Sequence, residues 1–444
     1  MAEINPARES AFASLLKMKC GKYSNLEVNS TLSRRALSDE DKRLYTALTY
    51  GTLERLITLD YIISKYSKIP PERLDDQTLC ALRLGLYQLC FMDRIPDHAA
   101  VSEAVSLAGK RSGGYVNAVL RGFIRGGKDM HLPKKEDKCG DVSGSAEKGE
   151  RDLERLSVCY SVPAALCRLF VSWYGERETE DIFRSFLRGE RVCVHVNTLK
   201  ISVSDAVEKL GGTVSSLCPD TVVLNGFDGV APGIERGDWF VQDEASAVCA
   251  SALGALPGDT AVDCCAAPGG KSFAVALYMK NQGTLYSFDI HGNKLSLIES
   301  GAEKLGISVI KTEMRDAREP KSELIGKCQK VLCDAPCSGL GIIGKKPEIK
   351  YKDIAQFERL PDIQYDILCG ASGYTAKGGT LVYSTCTLNP SENEGVCSRF
   401  LAEHKDFALD GFRAGERECD GMLTLRPDTD GTDGFFVCRM VRKG

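Results

Sequence analysis

Over the first 126 residues or so, apolar positions recur at helical spacing. Leu79, Leu82, Leu86, Leu89 and Cys90 form one stripe. Val101, Ala104, Val105 and Ala108 form a second, and Val116, Val119, Leu120, Phe123 and Ile124 a third. Stretches around Phe12–Met18 and Leu44–Leu59 fit further helices, and Pro70-Pro71 and Ile95-Pro96 punctuate the series. The pattern predicts an all-α domain over 1–126. Residues 127–150 are nearly devoid of apolar side chains and predict a linker or insertion. Residues 151–240 mix helical patterns near Leu153–Tyr174 and Arg177–Leu187 with strand-like runs at Val192–Val196 and Thr221–Leu224, which predicts a small α+β module. Over 241–444, short β-rich runs alternate with helical ones. The runs are Thr260–Cys264, Gly283–Ile290, Val309–Thr312, Lys330–Cys333, Thr380–Ser384 and Phe435–Val441. Such alternation predicts a doubly wound, Rossmann-like α/β sheet with a mainly parallel core. Ligands of such sheets bind beyond the C-terminal strand ends, so motifs at those ends carry most weight.

Composition narrows the picture further. The 444 residues allow two to four domains, and 43% apolar with 27% charged residues excludes a globally disordered chain. No apolar run reaches the ~20 residues of a membrane span, and no basic, then apolar, leader opens the chain. A cytoplasmic protein with reduced thiols and no membrane partner is the expectation. The 19 cysteines include no CxxC pair, and the histidines are only His98, His131, His195, His291 and His404, so no metal site is expected. Lys plus Arg is 57 and Asp plus Glu 61, a net charge of −4, so nucleic-acid binding would need local basic patches.

Strand Thr260–Asp263 runs into Cys264-Cys265-Ala266-Ala267-Pro268-Gly269-Gly270-Lys271-Ser272 and then a helix. A Walker A loop would need glycine at position 265, and a GxGxxG turn is absent. Asp289 ends the next strand about 20 residues on, an offset suited to ribose hydroxyls. Asp316 and Asp334 follow the third and fourth strands. Acids at successive strand ends without a Walker loop fit a nucleoside with a cationic centre, S-adenosylmethionine.

The fourth strand ends in Asp334-Ala335-Pro336-Cys337-Ser338-Gly339-Leu340-Gly341, the fifth in Tyr383-Ser384-Thr385-Cys386-Thr387-Leu388. Asp-Ala-Pro-Cys stands where amine methyltransferases often carry Asp/Asn-Pro-Pro-aromatic, which points towards methylation of carbon. Carbon 5 of a pyrimidine is a weak nucleophile until a thiolate adds at carbon 6. One cysteine would serve as nucleophile and the other would help elimination; motif chemistry alone leaves their order open.

These motifs resemble the RNA (cytosine-5)-methyltransferases of the Sun/Nop2 family. The matching stretches are Asp263–Lys271, Asp334–Gly341, Tyr383–Thr387 with Glu392-Asn393-Glu394, Asp433-Gly434-Phe435-Phe436, and the preceding Phe240–Ser246. The N-terminal region resembles the helical RNA-binding NusB fold at Ala7–Phe12, Asp41–Arg55, Leu82–Leu89, Ile95–Gly109 and Val116–Arg125. The two together are similar to bacterial enzymes that act on 16S ribosomal RNA. The resemblance implies Cys386 as nucleophile and Cys337 as promoter of product release. It implies S-adenosylmethionine on Cys265, Ala266, Ala267, Pro268, Gly269, Gly270, Lys271, Asp289, Asp316 and Asp334, with Asp334 and Lys271 also at the base. The chain departs from the family at Lys345–Tyr351, where arginines, an aspartate and a tryptophan are frequent, and at Thr387, where serine is frequent.

Two basic stretches are candidate RNA contacts. Lys110, Arg111, Arg121, Arg125, Lys128, Lys134 and Lys135 stand against Asp129 alone, and Lys345, Lys346, Lys350 and Lys352 form a second run. A monomeric enzyme is the expectation. The competing readings are a cytosine-5 methyltransferase of another nucleic acid and a non-enzymatic RNA-binding, antitermination-type protein.

Overall fold

The computed structural model describes residues 5–19, 24–135, 145–189 and 191–444. The chain forms two compact units. One comprises Met1–Leu187 with Ile343–Lys352, the other Arg188–Ile342 with Asp353–Gly444.

The first unit is helical: α1 Pro6–Lys19, α2 Ser24–Arg34, α3 Asp39–Glu54, α4 Leu56–Tyr66, α5 Asp76–Phe91, α6 Asp97–Arg125, α7 Ser145–Tyr160 and α8 Ala164–Phe186. The first apolar stripe is the inner face of α5. The second and third are two halves of α6, parted at Gly109 (φ +70°), whose left-handed backbone interrupts the helix. Leu82, Leu86, Val101, Ala104, Val116, Leu120 and Phe123 share one core. Ser38 and Asp75 cap α3 and α5, accepting from the amides of Asp41 (3.1 Å) and Thr78 (3.0 Å).

Three expectations change here. Residues 145–150 of the expected linker open α7, and 136–144 lie outside the described residues. Helices α7 and α8 join the first unit instead of the small module. The Val158 carbonyl accepts from Thr58 Oγ1 at 2.6 Å and Ser161 Oγ from the Ile57 amide at 2.9 Å, tying α7 to α4. Within the basic run 345–352, Lys350 is not open to phosphate, whereas Lys346 is exposed. Pro347, Ile349 and Lys350 are buried in the first unit. Lys350 Nζ donates to the Glu54 carbonyl at 2.7 Å, and Tyr351 OH donates to the Leu53 carbonyl at 2.9 Å. Burial pulls the Lys350 amine down to about 7.

The second unit carries two main sheets. The small antiparallel one runs in the order β2-β3-β1-β4, with β1 Val192–Val196, β2 Thr213–Val214, β3 Thr221–Leu224 and β4 Trp239–Val241, beside α9 Val203–Leu210 and α10 Val230–Arg236. Asn197, just past β1, ties it to the flank of the large sheet by donating from Nδ2 to the Leu305 carbonyl at 2.8 Å. The large sheet follows α11 Glu244–Ala252. It contains β5 Thr260–Asp263, β6 Thr284–Asp289, β7 Ile310–Met314, β8 Cys328–Asp334, β9 Thr375–Thr385, β10 Phe407–Leu409, β13 Met422–Leu425 and β14 Phe435–Arg442. Helices α12 Gly270–Tyr278, α13 Leu295–Leu305, α14 Leu360–Ser372 and α15 Glu394–Glu403 lie between its strands in sequence, and β11 Phe412–Ala414 pairs with β12 Arg417–Cys419 apart from it.

The strand order is β10-β14-β9-β8-β5-β6-β7, with β13 on β14. Strands β9, β8, β5, β6 and β7 are parallel, and β14 is antiparallel to β9. Each expected strand is present. The runs Val331-Leu332-Cys333 and Leu381-Val382-Tyr383 are buried throughout, as strands covered on both faces must be. Chain order reverses between β5 and β8, so a crevice opens beyond their C-terminal ends.

Candidate active site

Three strand ends meet at this crevice. At the first, β5 gives way to α12 through the 264–270 turn. The Ala266 amide donates to the Phe288 carbonyl at 2.7 Å and the Ala267 amide to Asp289 Oδ2 at 3.2 Å, so the turn is drawn towards the end of β6. Gly269, at φ +117°, precedes the helix, and a Cβ there would stand 2.5 Å from the Phe273 ring. Only glycine suits both the backbone and the space. Asp263 is buried under the turn, accepts from Ser272 Oγ at 2.7 Å, and is pushed up by burial to about 7. Cys264, Cys265 and Cys333 are all raised by burial, so these thiols stay protonated.

At the second and third ends, β8 and β9 are in register with Asp334 opposite Ser384. Ser384 Oγ donates to Asp334 Oδ1 at 2.7 Å, and Lys271 Nζ reaches Oδ2 at 2.7 Å. Burial acts to lower the Lys271 pKa, but the Asp334 carboxylate outweighs it and the pKa goes up. The lysine stays charged, with its ammonium 5.0 Å from the centre of the Phe435 ring. Cys337 and Cys386 face each other with Sγ atoms 3.3 Å apart. The hydrogen bond to Cys386, together with burial, raises Cys337 well above the usual thiol range. Either sulfur can donate across this contact.

The surrounding loops hold the two thiols. Ser338 Oγ bonds Thr387 Oγ1 at 2.7 Å, and the Gly341 amide donates to the Cys386 carbonyl at 3.0 Å. The Gly434 amide donates to the Gly341 carbonyl at 2.9 Å. A Cβ on Gly341 would collide with the Gly434 carbonyl oxygen, so the Asp334–Gly341 and Asp433–Phe436 stretches touch backbone to backbone. Asp243, in the stretch before the large sheet, accepts from the Asp433 amide at 3.2 Å.

The model for "16S rRNA methyltransferase RsmB/F" matches residues 250–441, and that for the NusB family matches residues 5–125. A Bacillus subtilis protein described as "Probable ribosomal RNA small subunit methyltransferase B" is 35% identical, over 98% of this chain and 99% of its own. The ribosomal RNA small subunit methyltransferase B of Sodalis glossinidius is 30% identical over 92% of this chain and 91% of its own. The chain belongs to the RsmB/F family of 16S rRNA methyltransferases. Among solved structures, PH0851 superposes with a TM-score of 0.77 at 26% identity, covering 99% of both chains. A methyltransferase homologue from Pyrococcus horikoshii gives 0.57 at 26% identity over 65% of this chain and 98% of its own.

As an RsmB/F enzyme the chain is an S-adenosylmethionine-dependent rRNA methyltransferase with a NusB-like helical region and a Rossmann-like catalytic sheet. The crevice fits that cofactor. The turn at Gly269 leaves the backbone bare. Among the described residues, Asp289 accepts from the Ala267 and His291 amides (3.2 and 2.8 Å), which leaves lone pairs for ribose hydroxyls. The structure brings together Cys265–Lys271, Asp289, Asp334, Cys337 and Cys386. Asp316 follows β7 and is engaged by its neighbour Arg318 (Nε–Oδ1 3.0 Å), which lowers its pKa. Ser384 and Phe435 lie inside the stretches that carry the resemblance but have no expected role, and two residues outside them also reach the site: Gln364 donates to the Pro336 carbonyl at 2.9 Å and Asn389 to Glu392 Oε1 at 3.0 Å. The pairing of β8 with β9 puts Ser384 opposite Asp334, and no sequence motif encodes that neighbourhood.

Proposed function

We propose that this enzyme methylates carbon 5 of a cytosine in 16S rRNA, in the cytoplasm, through a covalent adduct between Cys386 and carbon 6. The observation that supports this reading best is the thiol pair, 3.3 Å apart at two adjacent strand ends beside the Lys271–Asp334 ion pair.

S-adenosylmethionine on Cys265–Lys271, Asp289, Asp316 and Asp334 supplies an electrophilic methyl group when bound. The Cys386 thiolate attacks carbon 6 and makes carbon 5 nucleophilic, which splits one difficult step into two. The Asp334 carboxylate accepts from the exocyclic amine, and Lys271 holds it aimed. After transfer the carbon 5 proton passes to solvent water, its electron pair forms the carbon 5–carbon 6 double bond, and the carbon 6–sulfur bond breaks to return the Cys386 thiolate, which a hydrogen bond from the Cys337 S–H stabilises.

Phosphate contact falls to Lys110, Arg111, Arg121 and Arg125, all exposed on the second half of α6. Lys128 and Lys135 are already engaged, by Asp97 at 2.6 Å and Glu180 at 3.3 Å.

The test is incubation with labelled S-adenosylmethionine and unmethylated small-subunit rRNA, followed by mapping of the modified base. Label on cytosine carbon 5 is expected. Cys386→Ala should lose both methylation and covalent RNA trapping, and Cys337→Ala should accumulate a denaturant-resistant protein–RNA adduct. Exchange of those two phenotypes would reverse the roles, and label on another atom would end the reading.

A further inference from the structure

Two adjacent residues that the chemistry above does not use bracket the two thiols. Glu392 brackets Cys337. Its Oε2 accepts from the Ser338 amide at 2.9 Å and from Gln364 Nε2 at 2.8 Å, and that same Nε2 donates to the Pro336 carbonyl at 2.9 Å. Both peptide neighbours of Cys337 are thereby held. Glu392 Oε1 accepts from Asn389 Nδ2 at 3.0 Å, and the Glu392 carbonyl accepts from Tyr383 OH at 2.7 Å.

Asn393 brackets Cys386 in the same manner. Its Nδ2 donates to the Thr387 carbonyl at 3.0 Å, and its Oδ1 accepts from Thr385 Oγ1 at 2.5 Å. Glu392, Gln364, Thr385 and Thr387 are fully buried, and Asn393 is 1% exposed. None of these groups has water to fall back on, so each bond is obligatory once the loops close. A buried carboxylate is a costly way to close a loop, and an apolar side chain would fill the space with less penalty. The carboxylate adds three acceptor bonds in fixed directions. These define where the Cys337 loop stands relative to the Cys386 loop.

We infer that Glu392 and Asn393 are positioning residues, a jig in which each member holds one of the two cysteines so that the sulfurs meet. This rests on the thiol chemistry proposed above. Neither residue touches the reacting atoms; they act through the loops they pin.

The decisive variant is Glu392→Gln. Its carboxamide presents an NH2 where the carboxylate presented an acceptor, so it faces either Asn389 Nδ2 or the Ser338 amide donor to donor. Displacing the Cys337 loop by about 1 Å should lower kcat about 10²-fold. The KM for S-adenosylmethionine should stay within about twofold, because Cys265–Lys271, Asp289 and Asp316 lie at the ends of β5, β6 and β7, and Asp334 is held by Lys271 and Ser384, not by Glu392. The second readout is independent of activity. Limiting diamide oxidises two neighbouring thiols to a disulfide and is itself reduced to the hydrazine, so the rate of Cys337–Cys386 linkage, mapped by mass spectrometry, reports their encounter. It should fall about tenfold in Glu392→Gln. The double variant Glu392→Gln/Asn389→Asp transposes the charge and lets the new NH2 donate to the carboxylate introduced at position 389. It should recover at least tenfold of the loss in kcat and restore most of the linkage rate, which a merely destabilised protein would not do.

If Glu392→Gln does not fold, Gln364→Met releases the Pro336 carbonyl while leaving the carboxylate in place, and the same two readouts apply. A kcat within threefold of wild type, an unchanged linkage rate, or a double variant no better than the single would overturn the inference. Wild type and Cys386→Ala run alongside. Absence of 5-methylcytosine from the wild type would count against the proposed reaction, whereas the linkage rate would still decide the jig.

Discussion

The Lys271–Asp334 pair allows a stability prediction worked from its surroundings. The two side chains keep only 14% and 26% of their exposure, the contact is 2.7 Å, and Ser384 occupies the other carboxylate oxygen. Asp334→Asn leaves the Lys271 ammonium buried without its counter-charge. Breaking a buried pair from one side costs about 3–5 kcal/mol, and the residual exposure places this one at about 3 kcal/mol. In a unit of this size that lowers the melting temperature by about 6–12 °C. Lys271→Met should cost a similar amount, because it strands the carboxylate. The double variant Lys271→Met/Asp334→Asn leaves no uncompensated charge and should lose less than the sum of the singles by at least about 1.5 kcal/mol. Urea unfolding of the four proteins, without cofactor and with constant m-values, measures the cycle. The pH sign is also determined. The folded pKa of Lys271 is raised, so its contribution is complete below the unfolded value of about 10.4 and is lost only as pH climbs through the folded value. The coupling should therefore be flat from about pH 6 to 9. Additive singles of under about 1 kcal/mol each would refute the claim that this pair is electrostatically tight.

Three further outcomes are expected. Asp263 is raised to about 7 when folded, so the native state holds a proton the unfolded chain has released, and stability should fall as pH rises from about 4 to 7. Asp263→Asn, followed by melting at several pH values, should flatten that slope. Lys350 is lowered to about 7, the opposite case, so stability should rise between pH 7 and about 10, and Lys350→Met should abolish the rise in thermal melts. Gly269→Ala must place a methyl 2.5 Å from the Phe273 ring at φ +117°. It should cost about 1–3 kcal/mol of stability and weaken S-adenosylmethionine binding, measured by calorimetry, at least tenfold.

The sequence alone determined what depends on near neighbours. The helical stripes of α5 and α6, the alternating strands of the large sheet, and the turn Cys265–Lys271 were legible because local periodicity and backbone freedom dictate them. Cys337 and Cys386 stood out because each lies just past a strand. Their encounter at 3.3 Å, and the upward shift of the Cys337 thiol that the contact helps cause, depend on β8 pairing with β9 in one register. The same pairing recruited Ser384, and the packing of α14 brought in Gln364. Charge patterns were the least reliable guide. Lys350 looked like part of a phosphate-binding run, yet packing bent its segment inward and gave its amine to the Glu54 carbonyl. Likewise α7 and α8 read as neighbours of the small sheet, but α7 found its partner on α4. Side-chain type and spacing are written along the chain, whereas burial and counter-charge belong to the residues that long-range folding brings alongside.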